Sequence, residues 1–392
     1  MAGAALLRTL QATSILVITC LPGTHFIPSA EAQTLPGSGR LVIAVGGDTL
    51  PESSWAGPQE VEHFLDAMRE EFARADLVFL NLEQPITAAY TVTPNKNPAD
   101  VAAGRDYILR ARNSAIPRIM KEAGVGLVGL ANNHMMDYTE VGLRDTLRAL
   151  REAGLPVVGA GLKPDAERAF VFRKDGRRVA LLAFSDVVPR NSAATETHLG
   201  IASAKDETDL VEAIQRARLE AEFVILMMHW GGQGSHAITQ RQHRLARVAA
   251  QAGCDVVVGM HPHVLQGIEY LGRVPVFYST GNFAFASKRP AGRECVLVRL
   301  TFGSRELEAV ELVPVGISSQ GVPQIANGAR GQEILSHLDA FCRMFNTEVQ
   351  DGRLVPGPVR DKLVYDTSGR GDKGSPRRAR PSRPRQVRER DP

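Results

Sequence analysis

Short apolar runs alternate along this chain with compact polar clusters. Residues 41–45, 77–80, 125–130, 179–184, 224–228, 255–258 and 274–278 are aliphatic and β-branched, with no polar residue at every second position. Runs of that kind predict strands covered on both faces, since a strand with one wet face alternates. Two intervening segments carry helical spacing. Val141, Leu143, Leu147 and Leu150 recur across 138–153 before Gly154 and Pro156 stop the run, and Leu245, Val248, Ala249 and Ala252 do the same across 240–252, with Gly253 placed as a C-terminal cap. Residues 295–302 and 307–315, joined by Gly303-Ser304, predict a hairpin. Strand and helix signals in alternation predict an α/β fold, and no internal repeat is visible.

Composition changes this picture only at the ends. With 392 residues, 44% hydrophobic and 36 glycines, the chain has material for a large core. Its formal net charge of +3 is too small to argue for nucleic acid, and the basic excess lies in the tail. Arg8 precedes an apolar run at 15–21, followed by Pro22-Gly23 and Ala30-Glu31-Ala32. That order predicts a signal peptide over 1–32, cleaved before Gln33, because the run is shorter than the roughly 20 residues a membrane span needs. The expectation is an exported protein, periplasmic or extracellular, with attachment to the membrane left open. The body would span 33–366. Residues 367–392 are Gly, Ser, Pro and Arg in the main and predict a disordered basic tail. Cys254, Cys295 and Cys342 are scattered and odd in number once the leader is removed, which predicts buried core thiols rather than disulfides.

Candidate chemistry sits at the ends of the predicted strands: Gly47-Asp48, Asn81-Leu82-Glu83, Asn132-Asn133-His134, His229-Trp230 and His261-Pro262-His263. Each has a plain alternative when taken singly. Asp48 could cap a helix, the asparagines could shape turns, and His229 could be a hydrogen-bonded core residue. Pro262 keeps the residue before it out of helix, so an extended segment would set His261 and His263 on one side as a chelating pair. Five separate strands ending in Asp, Glu, Asn or His could supply two metal ions with mixed oxygen and nitrogen ligands.

The stretches AVGGDTL, ADLVFLNLEQPIT, GLANNHMMDYTEVGLRDTL, VVGAG, MMHWGG and GCDVVVGMHPHVLQGIEYLGRVPVFYSTGNFAF, in that order, resemble the CapA family of bacterial capsule synthesis proteins, associated with poly-γ-glutamate production. The resemblance covers about 41–285. It implies a four-layer α/β/β/α sandwich of metallophosphoesterase type. It also implies a ligand set: Asp48 on a first metal, Glu83 bridging, Asn133, His229 and His261 on a second, and His263 returning to the first. His134 would be a proton donor or charge stabiliser rather than a ligand. The chain departs from that pattern at Leu50, where metallophosphoesterases carry a histidine, and at Met260, Gln233-Gly234 and Thr139.

Two divalent ions, Mn, Fe or Zn, follow from the mixed donors. Segment 87–107 is long enough for a rim loop, and Lys96, Arg110 and Asn132 are the candidates for substrate contact. Two classes of function stay open. One is a role in capsule or poly-γ-glutamate synthesis or export, with an anionic polymer and membrane-associated synthesis machinery as partners. The other is a metal-dependent phosphoesterase or other hydrolase acting on a phosphorylated or polymeric substrate outside the cytoplasm.

Overall fold

A computed structural model describes residues 40–53, 61–104, 106–358, 363 and 365–367. The expected signal peptide, Trp55 and residues 368–392 of the tail lie outside them. Two sheets dominate. The larger runs Thr347–Gln350, Arg353–Pro356, Leu307–Ile317, Glu294–Phe302, Leu41–Thr49, Leu77–Leu82, Leu127–Gly129 and Val157–Val158 in hydrogen-bonding order. The last four strands are parallel to one another, and the predicted hairpin joins them antiparallel through Glu294–Phe302. The second sheet runs Ile268–Leu271, Val274–Phe277, Val256–Met260, Phe223–His229, Arg177–Ser185 and Phe170–Lys174, with its four central strands parallel.

Three apolar layers hold these sheets, which is why the strand sequences are apolar throughout. Ile43, Val45 and Phe79 of the large sheet pack against Ile225, Met227 and Val258 of the other. Their neighbours Ala44, Val78 and Leu80 point outward onto Ile119 and Met120 of helix Ile116–Glu122 and Leu143 of helix Thr139–Glu152. On the far side Val224, Leu226 and Met228 meet Leu210 and Ile214 of helix Glu207–Glu220 and Leu245 and Ala249 of helix Gln240–Ala252. The fold is a four-layer α/β/β/α sandwich. Each buried side chain of this size contributes roughly 1.5–3 kcal/mol, so the three layers supply most of the stability.

Helix boundaries follow local chemistry. Gln240–Ala252 starts at a capping box, where Thr239 accepts from the Gln242 backbone and Gln242 answers to the Thr239 backbone. It ends at Gly253, with φ 116°, as the glycine predicts. The run 125–130 forms a shorter strand than its apolarity suggests, Leu127–Gly129, because the Val125 amide instead closes the preceding helix on Met120 O at 3.0 Å. Cys295 lies in a strand and Cys254 just before one, and both are buried free thiols with Cys342. Among the described residues no helix is long and apolar enough to cross a membrane.

Candidate metal centre

The parallel strands of both sheets end at one edge, where open α/β sheets place their ligands. Strand register sets the residues side by side. Asp48 pairs with Asn81 across the large sheet, and His229 pairs with Met260, so that His261 follows immediately. The strand carrying Asp48 is irregular between Val45 and Asp48. Gly47 allows that bend, since a Cβ there would stand 2.0 Å from the Gly281 carbonyl oxygen.

Asp48 and Glu83 are fully buried, and His229 and His261 nearly so. Asp48 Oδ1 accepts from Asn81 Nδ2 at 2.8 Å, and Oδ2 accepts from the His261 amide at 3.0 Å. Around Nε2 of His229 stand Asn133 Oδ1 at 2.7 Å, His261 Nδ1 at 3.0 Å and Glu83 Oε1 at 3.4 Å. One ring proton cannot serve three such neighbours. On the other side of Glu83, Oε1 lies 3.7 Å from His263 Nε2, while His263 Nδ1 meets Asn282 Oδ1 at 2.9 Å and Asp48 Oδ2 at 3.2 Å. Two groups with metal-ligand spacing result, Glu83 with His229 and His261, and Asp48 with Glu83 and His263. Glu83 belongs to both.

The electrostatics mark the cluster as incomplete by itself. Neither carboxylate oxygen of Glu83 has a hydrogen-bond partner, nor does His229 Nδ1. Burial, and then the Asp48 charge, push the Glu83 carboxyl well above its ordinary range. Burial and the neighbouring imidazoles hold His229 and His261 well below theirs. Burial would depress His263 too, but Glu83, Asp48 and Asn282 outweigh it and the ring is pushed up to about 9. A buried carboxylate facing the neutral rings of His229 and His261 is costly, and a divalent cation with oxygen and nitrogen ligands relieves the conflict. The donor set therefore fits such an ion.

The His-Pro-His segment reaches this arrangement by a route other than extension. His261 has φ 93° and His263 φ 57°, so the chain turns at both residues. The His261 amide bond to Asp48 and the Gly234 amide bond to Pro262 O at 2.7 Å hold the turn. The two rings, 5.8 Å apart, consequently serve different groups.

His134 lies next to the cluster, and its Nδ1 is 2.8 Å from Asp137 Oδ2. Burial, and then Lys96, lower its pKa. Lys96 is buried, with Nζ 3.0 Å from His134 Nδ1, 2.5 Å from Tyr107 O and 2.5 Å from Asp137 Oδ1. The last is an ionic contact outside hydrogen-bond alignment. Asn132 is buried as well, giving Nδ2 to Asn81 Oδ1 and Leu82 O and accepting from the His134 amide. Arg110 is half-buried at the rim, over the Tyr138 ring at 4.6 Å and bonded to Ala89 O. Leu50 packs with Leu109 and Phe285. Trp230 backs the site, its indole donating to Tyr278 O at 2.8 Å.

Two residues with no role assigned from sequence prove central to the geometry. Asn282 fixes His263 and, through Nδ2, the Gly292 carbonyl at 2.8 Å. Asp137 holds His134, the Leu109 amide at 2.7 Å and Lys96. The polar run after the apolar segment 274–278 was a further strand end of the kind already singled out, and it leads to Asn282. Asp137 carried no such signal.

Comparison with known proteins agrees with the motif order. The family profile described as bacterial capsule synthesis protein PGA_cap matches residues 42–287. The PGA biosynthesis protein CapA of Bacillus subtilis (strain 168) is 30% identical over 286 residues, 72% of this chain and 73% of that protein. The capsule biosynthesis protein CapA of Bacillus anthracis is 32% identical over 260 residues, and this chain spans 65% of its own length but 61% of that relative. Among solved structures, a Haemophilus influenzae NAD nucleotidase aligns over 77% of this chain and 56% of its own, with a TM-score of 0.40 and 15% identity. That degree of likeness says nothing about the site. With 246 consecutive residues under one family profile and CapA relatives at 30% identity, the chain belongs to the CapA family of bacterial capsule synthesis proteins.

Proposed function

We propose that this chain works outside the cytoplasm in the synthesis or export of a poly-γ-glutamate capsule and holds two divalent cations, Mn, Fe or Zn, between its sheets. Asp48 and His263 would hold the first, Asn133, His229 and His261 the second, with Glu83 bridging. One observation carries the metal assignment: the Glu83 carboxylate is buried with both oxygens unpaired while nitrogen donors face it from two sides. Family membership and the CapA relatives support the polymer role. The leader at 1–32 motivates export, and the basic residues of 367–392 suit an anionic polymer through a screened, non-specific attraction.

The test is metal analysis of the chain purified without chelator and reloaded with Mn or Zn. The expected load approaches two ions and falls in Glu83→Ala. A wild-type chain that takes up neither ion refutes the centre. N-terminal sequencing of exported material should begin at Gln33, and retention of the intact leader in the cytoplasm refutes the export assignment.

The second reading, a hydrolase, rests on His134 braced by Asp137 beside the cluster. Bound cations would supply a water of lowered pKa and clamp the oxygens of a phosphate ester. His134, whose lowered pKa disfavours a proton to give away, would stabilise charge on the leaving oxygen, Asp137 would hold its ring, and Trp230 would back the cluster. Aryl phosphate turnover that disappears in His134→Ala supports this reading, and a metal-loaded chain without turnover refutes it for phosphate esters.

A further inference from the structure

Lys96 stands out because, among the described residues of 88–108, only it and Thr93 are buried, and its ammonium lies against four polar groups. Tyr90 is 83% exposed and Tyr107 44%, whereas the Lys96 side chain is 5% exposed. An ammonium is taken out of water only where charge and hydrogen-bond partners replace its hydration. Here they are Tyr107 O, the Asp137 carboxylate and, at 3.8 Å, Asp106, while His134 Nδ1 at 3.0 Å accepts from the ammonium only when it does not itself donate to Asp137.

Those contacts converge on Asp137. Its carboxylate meets Lys96, the Leu109 amide and His134, and its carbonyl accepts from the Thr93 amide at 2.8 Å. Residues 93, 96 and 109 of the rim are thus tied to the same residue that braces the His134 ring, and Lys96 adds Tyr107. With the ammonium packed against Tyr107 O and the Asp137 carboxylate and only 5% of the side chain exposed, little of the charge is left for a ligand above the rim. A substrate contact would leave at least part of that charge exposed.

We propose that Lys96 is a positioning residue: its ammonium locks the Asp137–His134 pair to the rim segment 87–112, so that imidazole and rim are held in one register. The role of the imidazole rests on the hydrolase reading above, whereas the order of the rim does not. Loss of the ammonium would leave the Asp137 carboxylate without its cationic partner, loosening both the ring and the loop. The guanidinium of a Lys96→Arg variant keeps the charge and several donors at the same place.

The test uses the full metal-loaded chain with Lys96→Met and Lys96→Arg. Amide hydrogen exchange over 87–112 should quicken by about tenfold or more in Lys96→Met while the sheets keep their protection. Metal load should stay at the wild-type level. Turnover of an aryl phosphate should fall about a hundredfold in kcat, the range lost with a misplaced charge-stabilising donor. Lys96→Arg should recover most of both effects. Unchanged exchange with a raised KM would make Lys96 a substrate contact and overturn the proposal. So would a loss of protection throughout the sheets, which marks a general folding role. A wild-type chain with no turnover defeats the hydrolase reading alone, and the exchange rates of the rim then still decide the place of Lys96.

Discussion

Replacing Glu83 by glutamine should stabilise the metal-free protein and abolish its response to metal. The Glu83 carboxylate is buried, lies near Asp48 and has neither oxygen satisfied by the protein. Leaving a buried polar group unpaired costs about 1–3 kcal/mol, and more when it is charged, so Glu83→Gln should gain about that much. For a domain of this size the gain is a rise in Tm of about 2–3 °C per kcal/mol. The sign with pH follows from the direction of the shift. The carboxyl titrates above its ordinary 4.5 in the folded chain, so its penalty is absent below that pH and grows as pH climbs through the raised value. The advantage of Glu83→Gln should therefore be small in acid and full at alkaline pH. Metal reverses the order. At a free ion concentration of about 100 Kd the wild type gains about 2.7 kcal/mol, which the variant forgoes. Differential scanning fluorimetry with chelator, and then with Mn or Zn, reads both effects. A chelated Glu83→Gln protein less stable than wild type at alkaline pH, or one that still rises in Tm with metal, refutes the reasoning.

Four further outcomes are expected. The group with Asn133, His229 and His261 has one ligand more than the group with Asp48 and His263, where Leu50 packs into apolar surface instead. Isothermal titration should accordingly resolve a tighter and a weaker step, and Asp48→Asn should remove the weaker one. Asn282→Ala frees the Nδ1 side of His263 and should weaken metal affinity by about 10–100-fold, measured by competition with a chelating dye. Gly47→Ala forces a methyl onto the Gly281 carbonyl and should cost about 3 kcal/mol in denaturant unfolding. Thr239→Ala removes a helix cap and should cost about 1 kcal/mol by the same assay, with metal binding unchanged.

Local rules made much of this fold legible. Continuous apolar runs such as 224–228 announced strands buried on both sides, and Gly253 marked a helix end, because each depends on neighbours in sequence. The clusters carrying Asp48, Glu83, Asn133, His229, His261 and His263 were legible as strand ends, and the fold gathers them at one edge, while the division into ligand groups came with the family resemblance. The details set by distant partners were not legible. Pro262 suggested an extended segment, but the amide bonds to Asp48 and from Gly234 impose a turn. Lys96 is a candidate for substrate contact when judged by its polar loop alone, and only the fold reveals Asp137 beside its ammonium. Asn282 gained its importance from His263, nineteen positions earlier in the chain.

The left-handed backbone at His261 and His263 bears on how the ligand pair is held. A residue with a side chain holds such a conformation at a cost of order 1–3 kcal/mol unless its surroundings enforce it. Here a strand-end aspartate, the Gly234 amide and an asparagine enforce it. Contacts from the protein itself thus hold the two imidazoles, so breaking any one of these bonds should loosen the ligand pair while leaving the sheets folded.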